Sequence, residues 1–113
     1  MGVVGRIVVR RGEIWLVELD PTVGGEIQKA RPCLIVSPDS MNRHLATFTV
    51  IPLTSGSRPA PFRIQTRFKA KDGFLLPEQL RTVDRVRLVK RLGEIEPNIL
   101  AEALSVLREM FEE

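Results

Sequence analysis

Turn-forming residues divide most of this chain into apolar segments that are too short for ordinary helices. Each segment is followed within three residues by Pro, Gly or Asp, which is the pattern of short β-strands bounded by turns. These segments run over residues 12–19, 31–37, 47–53, 73–76 and 80–83.

A further segment, residues 62–69, alternates strictly between two kinds of side chain. Successive side chains of a strand point to opposite faces, so this alternation predicts a half-buried strand with a polar, mostly cationic outer face. The predicted outer face holds Arg63, Gln65, Arg67 and Lys69, and the predicted core face holds Phe62, Ile64, Thr66 and Phe68.

The clearest helical periodicity lies at the C-terminal end of the chain. Pro97 suits the first turn of a helix, and apolar residues then recur at spacings of three and four. Residues 85–95 are interpreted as a turn of helix followed by a short strand. Five to seven short strands before one amphipathic helix predict a mainly β fold with α, a small antiparallel barrel capped by the C-terminal helix. The helical stripe consists of Leu100, Ala103, Leu104, Leu107, Met110 and Phe111.

A length of 113 residues suits one domain, and the few cysteines and histidines exclude several kinds of site. The single cysteine, Cys33, cannot form an internal disulfide, and with one histidine the chain cannot build a zinc site. Cys33 lies in an apolar strand and is interpreted as a small buried hydrophobic residue. His44 lies in a polar connection and is interpreted as a surface residue. No apolar stretch is long enough for a membrane span and no signal peptide is evident, so we expect a cytoplasmic protein.

The net charge of +3 hides a division of charge along the chain. Residues 1–91 carry sixteen Lys or Arg against eight Asp or Glu, whereas residues 92–113 carry one basic residue and six glutamates. Six basic residues and no acidic residue lie between positions 40 and 71. A basic body of this kind suits an anionic partner, nucleic acid above all, and a solvated basic face is the alternative.

Three segments place polar side chains at the ends of predicted strands. Arg31 opens an apolar strand, two hydroxyl residues follow Leu53, and residues 78–84 set polar groups between two apolar runs. No Ser-His-Asp set, metal-ligand spacing or phosphate-binding glycine motif accompanies them. Any catalysis by this chain must therefore use arginine, carboxylates and hydroxyls.

In their order along the chain, these segments resemble the MazF/PemK-type toxins of type II toxin–antitoxin pairs. The resemblance runs from about residue 10 to the C-terminus and implies a single toxin domain over residues 10–113, with residues 1–9 as an N-terminal extension. It implies an SH3-like (PemK/CcdB-type) barrel that forms a homodimer. The residues that carry it are Arg11-Gly-Glu-Ile-Trp15, Leu19-Asp-Pro21, Gly25-Glu26, Arg31-Pro32, Pro52-Leu-Thr-Ser55 and Glu78-Gln-Leu-Arg-Thr-Val-Asp84.

The resemblance also implies an activity. Toxins of this family are messenger RNA interferases that cut single-stranded RNA at a short specific sequence without a metal or other cofactor. The 2′-hydroxyl of the substrate attacks the adjacent phosphate and leaves a 2′,3′-cyclic phosphate and a 5′-hydroxyl. A cognate antitoxin inhibits such toxins by laying an acidic segment along the RNA groove.

The family's functional residues map onto positions of this chain. Arg31 and Thr54 match the family's catalytic arginine and threonine. A guanidinium and a hydroxyl suit this role, because both can stabilise the negative charge that builds up on the phosphate. Glu26 is the candidate general base, although that role stays open. The chain departs from the PemK branch at Gly25 and Leu76, where that branch has histidine and arginine. The predicted substrate-binding residues are Lys29, Ser55, Arg58, Glu78 and Gln79, with Arg63 as a further phosphate contact.

Two other functions remain open at this point. A CcdB-like toxin shares the barrel but binds DNA gyrase without catalysis, and a plain RNA-binding barrel would use Arg31 only to hold phosphate. Among the aromatic residues, Trp15 and Phe48 fall within apolar strands and are expected in the core. Phe62 is expected in the core by its place in the alternation, with stacking on an RNA base as the alternative.

Overall fold

The computed structural model describes residues 3–4 and 7–113, with side chains from residue 8 onward. Among these residues, nine strands and two α-helices follow one another, with 3-10 turns at Pro77–Gln79 and Arg85–Arg87. The strands are β1 (Val3–Val4), β2 (Ile7–Val8), β3 (Glu13–Glu18), β4 (Ala30–Ile35), β5 (Thr47–Thr54), β6 (Ile64–Phe68), β7 (Lys71–Leu75), β8 (Arg81–Asp84) and β9 (Leu88–Glu94), and the helices are α1 (Asp39–Asn42) and α2 (Pro97–Met110).

The seven longer strands form one antiparallel sheet in the order β6-β7-β5-β4-β3-β9, with β8 also paired to β5. Strand β5 joins its two parts, because Thr47–Val50 pair with β8 whereas Leu53 and Thr54 pair with β7. A strand that changes partner along its length bends the sheet around itself. The predicted mainly β fold, a curled antiparallel sheet followed by a C-terminal helix, is confirmed.

Apolar residues on both faces of the central strands are buried, as the apolar runs predict. Neighbouring residues of a strand point to opposite faces, so Trp15 and Cys33 enter one core cluster while Ile14 and Leu34 enter the other. The first cluster also holds Val9, which lies within the segment predicted as an extension. The predicted core positions of Trp15 and Phe48 and the burial of Cys33 are confirmed.

Helix α2 packs its apolar stripe against the second core cluster. Ala103 is fully buried, and Leu100, Leu104 and Leu107 are half-buried against the same cluster. The prediction for the end of the stripe is wrong, because the helix ends at Met110 and the Phe111 side chain is 71% exposed. Periodicity alone did not reveal where the helix ends or how closely its last apolar residue packs. Among the described residues, no helix has the length and apolar character that crossing a membrane requires.

The alternating segment forms a shorter strand than predicted. Strand β6 begins at Ile64, and Phe62 lies before it with its side chain 43% exposed, so the prediction that Phe62 is a core residue is wrong. The backbone turns at this point, because the amide of Arg63 donates to the carbonyl of Ala60 at 3.0 Å. Ile64 and Thr66 are buried as the alternation predicts. The turn therefore removes Phe62 from the strand geometry that would direct it inward.

Glu13 is a charged residue buried at the start of β3. One carboxylate oxygen accepts the amide of Arg10 at 2.8 Å and the indole Nε1–H of Trp15 at 3.0 Å. The other accepts the Arg91 Nε–H at 2.8 Å, and this hydrogen bond raises the pKa of Arg91 above its ordinary value. Glu13 thus joins β3 to β9, which gives the Gly-Glu-Ile-Trp motif a structural role.

Candidate active site

The pairing of β4 with β5 brings the two predicted catalytic residues together. The β4–β5 ladder ends at the pair Cys33–Pro52, and Arg31 and Thr54 each lie two residues beyond the same end of it. Alternate residues of a strand point to the same face, so Arg31 and Thr54 extend from this pair on one face of the sheet. The strand pattern alone therefore accounts for the approach of residues that are 23 positions apart.

Arg31 and Thr54 line one cavity of about 240 Å³, and Ser55 lines it beside them. The walls combine apolar side chains with cations, since Lys69 and Lys71 also line it. The single carboxylate among the lining residues, Asp72, already pairs with Arg67 at 3.4 Å. This cavity is therefore an electropositive pocket with apolar walls, which suits a phosphate joined to a base or sugar. The apolar walls come from Pro32, Leu53, Phe68 and Leu92.

The hydrogen bonds of Arg31 and Thr54 leave donors for a ligand. Arg31 Nε donates to the carbonyl of Gln28 at 3.1 Å, and within residues 8–113 no carboxylate lies within 4.0 Å of its guanidinium. The Thr54 hydroxyl oxygen accepts the amide of Gly56 at 3.2 Å, so its own proton can be donated elsewhere. A guanidinium and a hydroxyl can then meet the oxygens of one phosphate.

Gly73, on β7, permits the close packing behind Thr54. A Cβ atom at this position would lie 2.7 Å from the carbonyl oxygen of Thr54 and 3.2 Å from its carbonyl carbon. The sequence predictions did not include Gly73, which also lines the cavity. A glycine inside a strand pattern often marks a close backbone approach, and that signal could have found it.

A second cavity of about 460 Å³ collects the predicted acidic and amide residues. Glu26, Glu78 and Gln79 line it together with Arg81, whose Nη1 donates to the carbonyl of Leu19 at 3.1 Å. The structure thus divides the predicted site between two cavities, with Arg31 and Thr54 in the first and Glu26 in the second. The Glu26 carboxylate accepts the amide of Val23 at 2.6 Å within its own loop.

Lys29 and Arg58 line neither of these two cavities. Both are exposed, and each contributes a backbone carbonyl to the neighbouring structure. The carbonyl of Lys29, at a φ of 66°, accepts the amide of Leu19 at 3.0 Å. The carbonyl of Arg58 accepts Nη1 of Arg63 at 2.8 Å, so Arg63 is engaged within the protein. The side chains of Lys29 and Arg58 are therefore exposed at the surface, where they can contact a phosphate group.

Cys33 lies directly behind Arg31 and has the properties of a core residue. Its side chain is fully buried, and its thiol lies 3.5 Å from the carbonyl of Arg31. Burial raises the pKa of the Cys33 thiol to about 12, so the thiol stays protonated at neutral pH and is no nucleophile. His44 is exposed, as predicted. Among residues whose side chains are described, no group of three His, Cys, Asp or Glu is placed to hold a metal ion.

Comparison with known proteins identifies the family. Residues 10–111 match the model of the PemK-like, MazF-like toxins of type II toxin–antitoxin systems, and the chain belongs to this family. It is 41% identical over 105 residues to the endoribonuclease PemK of Escherichia coli, across 88% of this chain and 79% of that protein. It is 31% identical over 106 residues to the endoribonuclease MazF of Staphylococcus epidermidis, across 88% of each.

Solved structures agree with this assignment. MazF of Deinococcus radiodurans matches with a TM-score of 0.81 and 26% identity, across 90% of this chain and 94% of that one. A mycobacterial endoribonuclease in complex with its cognate antitoxin matches with a TM-score of 0.76 and 24% identity, across 90% and 93% of the two chains. The MazF fold of antiparallel strands with a C-terminal helix is therefore confirmed for this chain.

Proposed function

We propose that this chain cleaves single-stranded RNA, chiefly messenger RNA, at a short specific sequence, without a metal, through attack of the substrate's own 2′-hydroxyl. The chain is an endoribonuclease toxin of the MazF/PemK type. The observation that carries the proposed mechanism is the shared cavity of Arg31 and Thr54, where both side chains retain hydrogen-bond donors. A phosphate is the ligand that such a pair fits best.

In the proposed reaction, the 2′-oxygen forms a bond to phosphorus while the bond from phosphorus to the 5′-oxygen breaks. The products are a 2′,3′-cyclic phosphate and a 5′-hydroxyl. Negative charge builds up on the non-bridging oxygens, and Arg31 opposes it with paired N–H donors. Thr54 donates its hydroxyl proton to the same phosphate, since a threonine hydroxyl is no base at neutral pH. Both residues act by positioning and charge stabilisation.

Glu26 is the proposed acceptor of the 2′-hydroxyl proton, and the 5′-oxygen takes up a proton from solvent water as it leaves. In this structure the Glu26 carboxylate lines the second cavity and accepts the amide of Val23. Proton transfer to Glu26 therefore requires its side chain to release the Val23 amide and turn toward the 2′-hydroxyl, while the backbone of the loop between β3 and β4 keeps its place. The cleavage rate that remains after replacement of Glu26 measures the rate enhancement that Arg31 and Thr54 provide without the proposed base.

Substrate contacts are proposed along a groove that contains both cavities. Ser55 lies beside Thr54, and Lys29 and Arg58 are exposed cations that suit phosphates on either side. Glu78 and Gln79 line the second cavity. A cognate antitoxin, through an acidic segment in the same electropositive groove, is the proposed inhibitor, and the active form is proposed to be a cytoplasmic homodimer.

Mapping of RNA ends tests this function. A long RNA of mixed sequence is digested in excess chelator by the unchanged protein, by Arg31→Ala and by Arg43→Ala, an exposed arginine outside both cavities. We expect discrete cuts at one short motif, ending in cyclic phosphate, from the unchanged protein and Arg43→Ala but not from Arg31→Ala. Binding without cutting by every form would support the plain RNA-binding barrel. No effect on RNA by a folded dimer would direct attention to gyrase binding.

A further inference from the structure

The two loops beside the candidate active site are both attached to one short 3-10 turn, Pro77–Gln79. One is the β3–β4 loop, residues 19–29, which carries Glu26, and the other is the β5–β6 loop, residues 55–63, which carries Arg58. The attachments are made by consecutive residues, Glu78 and Gln79, through their side chains.

Gln79 holds the β3–β4 loop with both ends of its side-chain amide. Its Nε2 donates to the carbonyl of Gly25 at 3.2 Å, and its Oε1 accepts the amide of Ile27 at 3.4 Å. Gly25 and Ile27 flank Glu26, so these two bonds fix the backbone on both sides of the proposed base. They span 54 and 52 positions of the chain. The loop has further anchors outside the turn, because Ile27 packs against the first core cluster and Arg87 Nη1 donates to the carbonyl of Asp20 at 2.6 Å.

Glu78 holds the β5–β6 loop through Arg63. The Nε and Nη2 atoms of Arg63 donate to one Glu78 oxygen at 2.9 and 2.6 Å, and Nη1 donates to the carbonyl of Arg58 at 2.8 Å. Both side chains of this ion pair are largely shielded, with 23% and 29% exposure. Arg63 also neutralises Glu78, which would otherwise place a bare negative charge in a groove proposed for RNA.

The turn itself is attached to the strand that carries Thr54. The amide of Leu76 donates to the carbonyl of Pro52 at 3.0 Å, and the turn is closed by the amide of Leu80, which donates to the carbonyl of Pro77 at 3.1 Å. Pro77 is buried and its ring restricts the backbone. Through this turn, both loops are therefore attached to the end of β5 that also carries Thr54.

We infer that Glu78 and Gln79 are positioning residues that hold the β3–β4 and β5–β6 loops at a fixed separation across the RNA groove. This inference rests on the proposed function for what the loops contact, but the attachment of the loops is a property of the free protein. Gln79 then acts on the reaction through Glu26, and Glu78 acts through Arg63 and Arg58. On this inference, any contact of these two side chains with RNA adds to binding, and neither of them selects the base at the cut site.

Amide hydrogen exchange on the free protein tests the attachment directly. We expect Gln79→Leu to speed exchange at Ile27 and its neighbours by about tenfold, since loss of one or two hydrogen bonds frees the backbone on this scale. Glu78→Leu should do the same for residues 58–63 and leave residues 23–28 unchanged. Gln65→Leu, an exposed glutamine on β6, is the matched control and should change neither loop. Unchanged exchange in a folded Gln79→Leu protein would overturn the inference.

Cleavage kinetics then separate positioning from base reading. Gln79→Glu keeps an acceptor for Ile27 but loses the donor to Gly25, so its exchange and its kcat/KM should lie between those of the unchanged protein and Gln79→Leu. The loss should fall mainly on kcat, with the cut motif unchanged, because the same loop is merely less well placed. A changed cut motif with unchanged loop exchange would make Gln79 a base-reading residue and refute the inference. If the unchanged protein cuts no RNA, the proposed function fails while the exchange result still decides the attachment.

Discussion

Gly73 offers the sharpest test of how the fold places Thr54, because replacing it adds a single methyl group at a defined point. The Cβ of Gly73→Ala would lie 2.7 Å from the Thr54 carbonyl oxygen, and real Cβ atoms essentially never approach a neighbour closer than 3.0 Å. The atom it meets is backbone and cannot rotate away. Strand β7 and the end of β5 must therefore separate by several tenths of an ångström, where Thr54 pairs with Phe74.

The size of the effect follows from this displacement. Overpacking at a well-filled position costs about 1–3 kcal/mol, and we expect the free energy of unfolding to fall by that amount. A misplacement of about 1 Å can cost roughly 10²-fold in rate, so a shift of several tenths should lower kcat/KM by about tenfold or more. The loss should appear in kcat, because the proposed mechanism leaves Arg31 in place to bind the phosphate.

Urea denaturation gives the stability change, and RNA cleavage is measured at a temperature where both proteins are folded. Gly56→Ala is the matched control, because its added Cβ would meet the Thr54 hydroxyl oxygen at 3.9 Å, an ordinary contact, and the backbone amide that bonds Thr54 is kept. We expect the free energy of unfolding and the kcat/KM of Gly56→Ala to stay close to those of the unchanged protein. Unchanged stability and unchanged kcat/KM in Gly73→Ala would refute the reasoning, since the two strands would then be free to separate without consequence.

Three further predictions concern stability and charge. The ordinary pKa of a cysteine thiol is 9.0, whereas burial raises the pKa of Cys33 to about 12, so the unfolded state loses its proton at a lower pH than the folded state. The free energy of unfolding should therefore fall by about 1.4 kcal/mol per pH unit between those two values. Urea denaturation over this pH range should show no such slope for Cys33→Ala. Glu13→Gln should lower the free energy of unfolding by about 1–2 kcal/mol, because an amide nitrogen cannot accept from Arg91; an unchanged urea midpoint would contradict this. If the protein neutralises three or four phosphates, the logarithm of its RNA-binding constant should fall against the logarithm of the salt concentration with a slope of about −2 to −3. An affinity that does not change with salt in filter binding would remove the electrostatic argument.

The strands were predictable because their pattern is local, whereas their ends depend on contacts that are not. The alternation over residues 62–69 fits strand β6, but it carries no information on where the turn before the strand stops. Phe62 stands at a position that would face the core if the strand extended that far. Its backbone still belongs to the preceding turn, because the amide of Arg63 donates to the carbonyl of Ala60. Similarly, helical periodicity continues to Phe111, but the helix ends one residue earlier and the side chain stays 71% exposed, although apolar residues such as Val36 and Leu107 line the same cavity.

The sequence singles out Arg31 and Thr54 as candidates, because each stands near the end of an apolar strand and both match a family pattern. Their approach in space follows from the β4–β5 register, which pairing of two apolar runs largely fixes. The partners of Gln79 could not be predicted in this way, because its bonds reach a loop more than fifty positions away. A polar residue at a strand end suits an RNA contact and a loop attachment equally well from sequence alone.

The division between strands and loops has a consequence for how such a site can change. Arg31 and Thr54 stand at the ends of strands whose neighbouring residues, Cys33 and Leu53, belong to the two buried clusters, so their separation is tied to the core. Lys29 and Arg58 lie on exposed loops that are attached to the turn Pro77–Gln79 by a few polar bonds. Because core packing resists substitution more strongly than exposed loops do, substitutions at the loops should alter the affinity for RNA while the proposed cleavage chemistry on β4 and β5 persists. A Lys29→Ala protein that reaches an unchanged maximal rate only at a higher RNA concentration would be the direct sign of this separation, and a lost maximal rate at saturating RNA would contradict it.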